Sequence, residues 1–324
     1  MTPTPYWDKA RHADRRGFLA ARAKIAQAVR AWFNDQGFLE AEPNLLVPSP
    51  GAETHIDAYD TGHGYLHTSP EFAMKRLLAA GEDKLFYLGK CWRKGESGPL
   101  HAPEFTMIEW YRANAPYQDI MADCVAILRV ACEAADAKTL RWRGRESDPF
   151  AEPELLAVSE PFRRRWEISL LDCPKSAFAK TGVRFADDDN WSDVFSRVLV
   201  EKIEPELGMG RPTLFYEYPA CEAALARLAP GNEKAAERFE LYACGVELAN
   251  GFGELTDAAE QRRRLAEAMD EKEKRYGQRW PIDEDFLAAL TQMPPASGVA
   301  MGFDRLVMLA AGARHINDVL WTPT

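Results

Sequence analysis

Four short stretches of the chain carry residue types that could do chemistry. The first is APEFTMIEWYR, residues 102–112, an apolar strand interrupted by Glu104, Glu109 and Arg112. Side chains alternate along a strand, so Phe105, Glu109 and Tyr111 share a face. Arg93 stands near the end of the preceding apolar run, KLFYLGKCWRK. Arginine offers a planar five-donor fork suited to phosphate, and an aromatic on the same platform can stack on a base. The second stretch, FELYACGVELANG, sets Glu240 and Glu247 into apolar strands just before Asn250 and Gly251. Carboxylates placed there carry a desolvation cost unless something meets them, and with substrate phosphates two of them could hold Mg2+. The third, GVAMGFDRLVML, has Gly298, Ala300 and Gly302, which let a ligand approach the backbone, and then Asp304 and Arg305 opening a helix. The fourth, TSPEFAMKR, puts Ser69 and Glu71 at a turn into a helix. Each stretch also has an ordinary structural reading: a surface arginine beside a core Phe, two solvated edge carboxylates, a glycine-rich strand packed on a helix, an N-cap Ser with a first-turn Glu.

The elements that must position these residues can be read from periodicity. Residues 15–36 predict a helix, with Leu19, Ala23, Ala26, Val29, Trp32 and Phe33 at helical spacing and Gly37 ending it. FLEAEPNLLVPSPGAET predicts a short strand and a Pro/Gly loop. YLHTSPEFAMKRLLAAG predicts a strand, a Ser-Pro turn and a helix from Glu71 to Ala80, with Pro70 in its first turn. KLFYLGKCWRK and APEFTMIEWYR form a hairpin around GESGPL. A second amphipathic helix covers 117–136. Residues 137–213 are rich in charge and proline and show one helix near 191–207. TLFYEYP is a strand, residues 237–257 give two strands around Gly245, DAAEQRRRLAEAMDEKEKRYG is a solvated helix, and residues 297–313 run from a small-residue strand into a helix.

Composition narrows the class. The chain has 324 residues, 46% of them hydrophobic, enough for a sizeable core. No apolar run reaches about 18 residues, so no membrane-spanning helix is expected. MTPTPYWDKARHADRR lacks the apolar core of a secretory signal. Six scattered cysteines without a C-x-x-C read as reduced cytoplasmic thiols, not as a disulfide frame or zinc site. A formal net charge of −10 lowers the expectation of a nucleic-acid binder.

In chain order the blocks read T-S-P-E, then an Arg/loop/P-E-F-T-M-x-E-W hairpin, then F-E-x-Y-x-x-G-x-E-L-x-N-G-F-x-E-L-x-D, then G-x-x-x-G-x-D-R-L-V-M. Over roughly residues 15–321 this order resembles the catalytic domain of class II aminoacyl-tRNA synthetases, and within them lysyl-tRNA synthetase. The resemblance implies an α+β fold, an antiparallel β-sheet flanked by helices. It implies one catalytic domain over 1–324, with the first and second motifs in 15–112, a variable or inserted region in 113–236 and the third motif in 237–324. Lysyl-tRNA synthetases carry an anticodon-reading barrel ahead of this domain. Helix 15–36 begins so near the N-terminus that no such anticodon-binding domain is expected. The shortened form resembles the ligases that attach β-lysine to a lysine of elongation factor P. Lysyl-tRNA synthetases have glycine at the third position of GVAMG, the ligases have alanine, and this chain has Ala300.

What the resemblance implies is specific. ATP and Mg2+ would be the cofactors, lysine or (R)-β-lysine the substrate, and elongation factor P the acceptor in place of tRNA. Arg93 would hold the ATP α-phosphate and the attacking carboxylate, and Arg305 the γ-phosphate. Phe105 would stack on adenine. Lys94, Gly95, Glu96, Ala102, Leu241 and Gly302 would lie along the nucleotide. Glu240 and Glu247 would bind the metal, Glu247 also standing close to the substrate's side-chain ammonium. Ser69, Pro70, Glu71, Tyr111 and Ala300 would line the amino-acid site. A cytoplasmic homodimer is implied. The chain departs from the family pattern in places. The usual Arg-Asn-Glu is Arg93-Lys94-Gly95 with Glu96 one place later, and the usual Asn before P-E-F is Ala102. The dimer motif's proline aligns with Asn44, one place after Pro43. Two other readings fit the same residues: an adenylate-forming ligase with another acceptor, and a non-catalytic amino-acid-binding relative.

Overall fold

The computed structural model describes residues 4–51 and 53–323. Met1–Pro3, Ala52 and Thr324, parts of the terminal segments and of the Pro/Gly loop, lie outside the described residues. Helix α1 (Lys9–Asp35) starts earlier than its apolar periodicity suggests, because the Asp8 side chain accepts hydrogen bonds from the backbone N–H groups of Ala10 and Arg11. Short strands β1 (Leu39–Glu40), β2 (Leu46–Val47) and β3 (Tyr65–Leu66) follow. Helix α2 (Glu71–Ala79) has Pro70 at its N-cap, not in its first turn. Ser69 supplies the cap, its Oγ accepting from the Glu71 N–H at 3.1 Å. The expected hairpin is β4 (Lys84–Trp92) and β5 (Glu104–Ala113), and α3 (Tyr117–Ala134) comes next.

The stretch 137–213 holds more structure than its sequence shows. It contains the hairpin β6 (Leu140–Trp142) and β7 (Arg145–Ser147), strand β8 (Glu154–Ala157), helix α4 (Ser159–Trp166) and helix α5 (Trp191–Val198). The helix expected to reach 207 stops at Val198. The chain widens into a π-type turn over Leu199–Ile203 and tightens again at Glu204–Glu206, where Pro205 cannot continue an α-helix. Then come β9 (Thr213–Pro219), β10 (Leu228–Ala229), β11 (Asn232–Ala243), β12 (Val246–Gly253), α6 (Ala258–Tyr276), α7 (Glu284–Leu290), β13 (Ala296–Gly302), α8 (Phe303–Ala311) and α9 (Ile316–Val319). Helix α6, read as solvated, buries one face through Leu265, Met269 and Lys272.

Nine strands form one sheet in the order β1-β4-β5-β13-β12-β11-β9-β8, with β10 beside β11. The pairs β1–β4 and β8–β9 are parallel and the others antiparallel, so the sheet is the α+β kind expected. Alternation splits β5 cleanly. Ile108 and Trp110 join Phe33 and Phe86 under α1, α3 and α8, with the Phe33 and Phe86 rings stacked at 4.4 Å. Met107 and Tyr111 point the other way, toward Met74, Leu78 and Phe286 of α2 and α7. Arg112 lies over the Phe38 ring of the first core at 4.6 Å. It forms a bidentate pair with Asp123 of α3 at 2.7 and 2.8 Å, and Trp110 Nε1 donates to the same carboxylate, locking α3 to the sheet.

Candidate active site

Register explains why an apolar strand carries carboxylates. β11 pairs Glu240 with Asn250, β12 pairs Asn250 with Ala300, β13 pairs Ala300 with Glu109, and β4 pairs Tyr87 with Glu109. Glu240, Asn250, Ala300 and Glu109 therefore make one row across four adjacent strands, spanning roughly 14 Å at the usual strand spacing. A cavity of about 170 Å3 lies over this row.

One end of the cavity is acidic. Glu109 is 1% exposed and accepts hydrogen bonds from Ser69 Oγ at 2.7 Å and Tyr111 Oη at 2.6 Å. Burial, with Glu71 adding to it, pushes its carboxyl up to about 8. Lys75 Nζ lies 2.5 Å from Glu71 and 2.6 Å from Glu254. Burial would lower this ammonium, but the two carboxylates more than offset it and hold Lys75 above its ordinary range. Two carboxylates thus meet one ammonium, and the Glu109 carboxyl beside them adds acceptor oxygens, which leaves a surplus of acceptors and negative charge for an incoming amine. Gly298 lets two of these groups pack over β13: a Cβ there would overlap the Tyr111 ring and sit 2.7 Å from Glu254 Oε1.

The other end is cationic. Arg93 lies over the Phe105 ring at 5.3 Å, and its buried Nε has no hydrogen-bond partner. Arg305 is held by the Glu247 backbone oxygen at 2.8 Å and by His101 Nε2 at 2.6 Å. Burial and the Arg305 charge lower the His101 imidazole, so the neutral ring can accept that bond. Asp304, one residue before Arg305, turns inward. It accepts from the Thr106 N–H at 2.7 Å and pairs with Arg22 of α1, so the Asp-Arg pair splits into a structural tie and a cavity cation. A Cβ on Gly302 would meet nothing closer than Arg305 Cδ at 3.5 Å, so packing within the protein does not demand glycine there.

A divalent cation fits the carboxylates between these ends. Glu247 faces the cavity, and burial and the nearby Glu240 push its carboxyl up. Glu204, on the turn after α5, is pushed up to about 8 by burial, Glu240 and Glu247. Mutual repulsion of this kind is relieved by a cation. Glu240 is already held by Arg238 Nη2 at 2.8 Å and Tyr242 Oη at 2.6 Å, which fixes one of its oxygens on each. Among the described residues no group of three or more acidic, His or Cys side chains has the geometry of a self-sufficient metal site. The residues present suit an ion completed by phosphate oxygens.

The residues singled out in the sequence are not all brought together. Ser69, Glu71, Arg93, Glu96, Ala102 and Phe105 line the cavity, as do Tyr111, Glu247, Ala300, Gly302 and Arg305. Lys94 turns to Asp57 at 3.5 Å, and Gly95 is absent from the cavity wall. Leu241 is buried in the core beneath the sheet, Pro70 borders a neighbouring cavity, and Glu240, next to Asn250 in the row, is not part of the wall. Glu109, Glu254, Asn250 and His101 also line the cavity but were given no binding role from sequence. Only Glu109 carried a sequence signal, its place on the face of β5 that already held Phe105 and Tyr111; His101, Asn250 and Glu254 lie off that strand.

Comparison with known proteins agrees with this geometry. Residues 4–324 match the family of class II tRNA synthetases (D, K and N). A protein of Proteus mirabilis named elongation factor P–(R)-β-lysine ligase is 37% identical over 324 residues, 94% of each chain. Proteins of the same name from Klebsiella pneumoniae (38% over 319 residues, 93% of each chain) and Haemophilus influenzae (36% over 331 residues, 99% of this chain and 98% of the relative) are similarly close. The chain belongs to the class II tRNA synthetase family.

Proposed function

We propose that this protein is an ATP-dependent ligase that activates (R)-β-lysine, or lysine, as an acyl-adenylate and transfers it to a lysine of elongation factor P. The observation that carries this reading is one sheet face with three carboxyl groups and one ammonium at one end, and Arg93, Phe105 and Arg305 at the other. A diamino acid presents its ammonium groups to the acidic end, and its carboxylate then points toward the arginines. The names of the relatives supply the acceptor.

The chemistry needs no protein nucleophile. The substrate carboxylate attacks the ATP α-phosphorus, pyrophosphate leaves, and the acceptor amine later attacks the acyl carbon as AMP departs. Arg93, with its unpartnered Nε, stabilises charge gathering on the α-phosphate, and Arg305 holds the distal phosphates. Phe105 offers its ring to the adenine. Glu247, with Glu240 behind it, would hold Mg2+, whose contribution when bound is to neutralise the phosphate oxygens. Asp304, Arg22 and Thr106 keep the arginine-bearing helix in register with β5. The same reading takes one catalytic domain over 1–324, a homodimer and the cytoplasm. The compartment is consistent with six free cysteines, four of them buried.

The test is the intact mass of elongation factor P after incubation with the protein, ATP, Mg2+ and either (R)-β-lysine or lysine, with tRNA-Lys charging run alongside. A lysyl mass gain on the factor, larger with β-lysine, is expected. Charging of tRNA without labelling of the factor would overturn the acceptor. Absence of amino-acid-dependent pyrophosphate exchange would overturn the reaction class.

A further inference from the structure

A second cavity, of about 990 Å3, adjoins the first. It runs between residues 49–51 and 53–56, the start of α2, helix α5, the turn at 220–225 and one face of α6. The two cavities share Glu53, Ser69, Glu71, Asn250 and Phe252, so they meet along one side of the catalytic one, from Ser69 and Glu71 at its acidic end to Asn250 in mid-row and Glu53, whose carboxyl feels the Arg93 charge. We propose that the second cavity is the passage by which the acceptor's lysine amine reaches the acyl-adenylate; this rests on the ligase reading above.

Charge argues for an amine. Six arginines border the cavity, and each is already met by a carboxylate: Arg76 by Asp283, Arg197 by Asp189, Arg238 by Glu240, Arg263 and Arg264 by Glu260, Arg275 by Asp193. Glu53 and Glu222, by contrast, have no ion-pair partner among the described residues, and the buried Oε1 of Glu222 has no hydrogen-bond partner. A phosphate entering here meets no free cation. An ammonium meets the free Oε1 of Glu222 in the wall and the Glu53 carboxyl at the junction, neither of them in an ion pair among the described residues, which offsets its loss of water.

Size and construction argue for an amine carried on a protein. The volume is at the upper limit of small-molecule pockets, and the free amino acid already has its own acidic seat over Glu109. The walls are tied in place before any partner arrives. Arg275 spans from α6 to Asp193 on α5 at 2.8 Å, and Lys272 donates to the Thr54 and Ile56 backbone oxygens at 3.1 and 2.7 Å, strapping the loop to α6. In the transfer step the acceptor nitrogen bonds to the acyl carbon. The bond from that carbon to the phosphate oxygen breaks, and AMP leaves with the electron pair. The two protons the ammonium gives up in becoming an amide nitrogen pass to solvent in the passage.

The experiment narrows the passage without touching the catalytic cavity. Ser196→Trp on α5 and Ala268→Trp on α6 each put an indole into the second cavity only. Three rates are read in parallel: amino-acid-dependent pyrophosphate–ATP exchange, hydroxamate formation with hydroxylamine, and labelling of elongation factor P by intact mass. Labelling is expected to fall at least tenfold, while exchange and hydroxamate formation stay within twofold of the wild type. Labelling that holds up in both variants, or that falls only in step with exchange, overturns the passage. A charge-only variant, Glu222→Gln, covers the case of misfolding: KM for the factor should rise several-fold with exchange unchanged, and an unaltered KM overturns the role of the acidic wall. A wild-type protein that exchanges pyrophosphate but does not label the factor refutes the acceptor, a result distinct from any failure of the passage.

Discussion

Replacing Glu109 by Gln should make the protein more stable, and more so the higher the pH. The carboxyl is buried, and its folded value is raised from 4.5 to about 8 by burial and by Glu71. Below about pH 4.5 the group is protonated in both the folded and the unfolded chain and has no effect on the balance. Above that, the unfolded chain gives up the proton and the native state keeps it, so native stability drains away at about 1.4 kcal/mol per pH unit until the folded group also ionises near pH 8. The whole window amounts to at most about 5 kcal/mol. Glutamine keeps an acceptor for one of the Ser69 and Tyr111 hydroxyls and offers an amide donor to the other. It has no proton to lose. Urea unfolding of both proteins at several pH values from about 5 to 9 isolates the term, since every other group titrates alike in the two apart from Glu71. The stability difference should grow in favour of Gln with a slope near 1.4 kcal/mol per pH unit and level off above pH 8. A difference that stays flat across the window would mean that Glu109 is already ionised in the folded protein at neutral pH, and the argument that burial and Glu71 raise its carboxyl would fall.

Three further outcomes are expected. Asp304→Ala strands Arg22 in the core and frees the Thr106 N–H, so the protein should lose about 3–5 kcal/mol in urea unfolding; a loss below about 1 kcal/mol would show that the tie is dispensable. Gly302→Ala should leave the melting temperature unchanged, because the nearest atom to the added methyl is 3.5 Å away. Its KM for ATP should rise about tenfold, and an unchanged KM would remove Gly302 from the nucleotide's path. Ala300→Gly deletes a methyl that lies opposite Glu109 in the row; competition between labelled lysine and β-lysine should move toward lysine by about tenfold, within the ~1–3 kcal/mol a methyl is worth in a pocket. An unchanged ratio would place the selectivity elsewhere.

Much of the site frame was legible in the sequence because it is built from local patterns. The β4–β5 hairpin, α1 with Gly37 behind it, and the glycine strand running into α8 all follow from periodicity and turn residues within one window. The membership of the acidic seat was not legible, because it depends on register. Glu109 sits opposite Ala300 only once strands far apart in sequence have paired, and Glu254 reaches Lys75 only because β12 lies two strands from β5. Lys94 and Gly95 mislead for the converse reason: adjacency to Arg93 in sequence does not survive a loop that turns Lys94 toward Asp57. The stretch 137–213 defeats periodicity because its elements are short and are held by distant partners. Strand β8 is four residues long and pairs in parallel with β9, and Phe162, Phe178, Phe195 and Tyr218 form their own core across four separate segments.

The β5–β13 pairing also bears on how the molecule is made. β5 ends at Ala113 and its neighbour β13 begins at Ala296, so about 180 residues must leave the ribosome between them. At roughly 5–20 residues per second, that is about 10–40 s. Throughout that interval the nascent chain holds the strand bearing Met107, Ile108 and Trp110 with one edge unpaired, the kind of edge that recruits other chains. A ribosome that stalls inside α6 releases a product with most of the sheet and no seat for a substrate. The catalytic cavity is thus closed by β13, the last strand of the sheet in chain order.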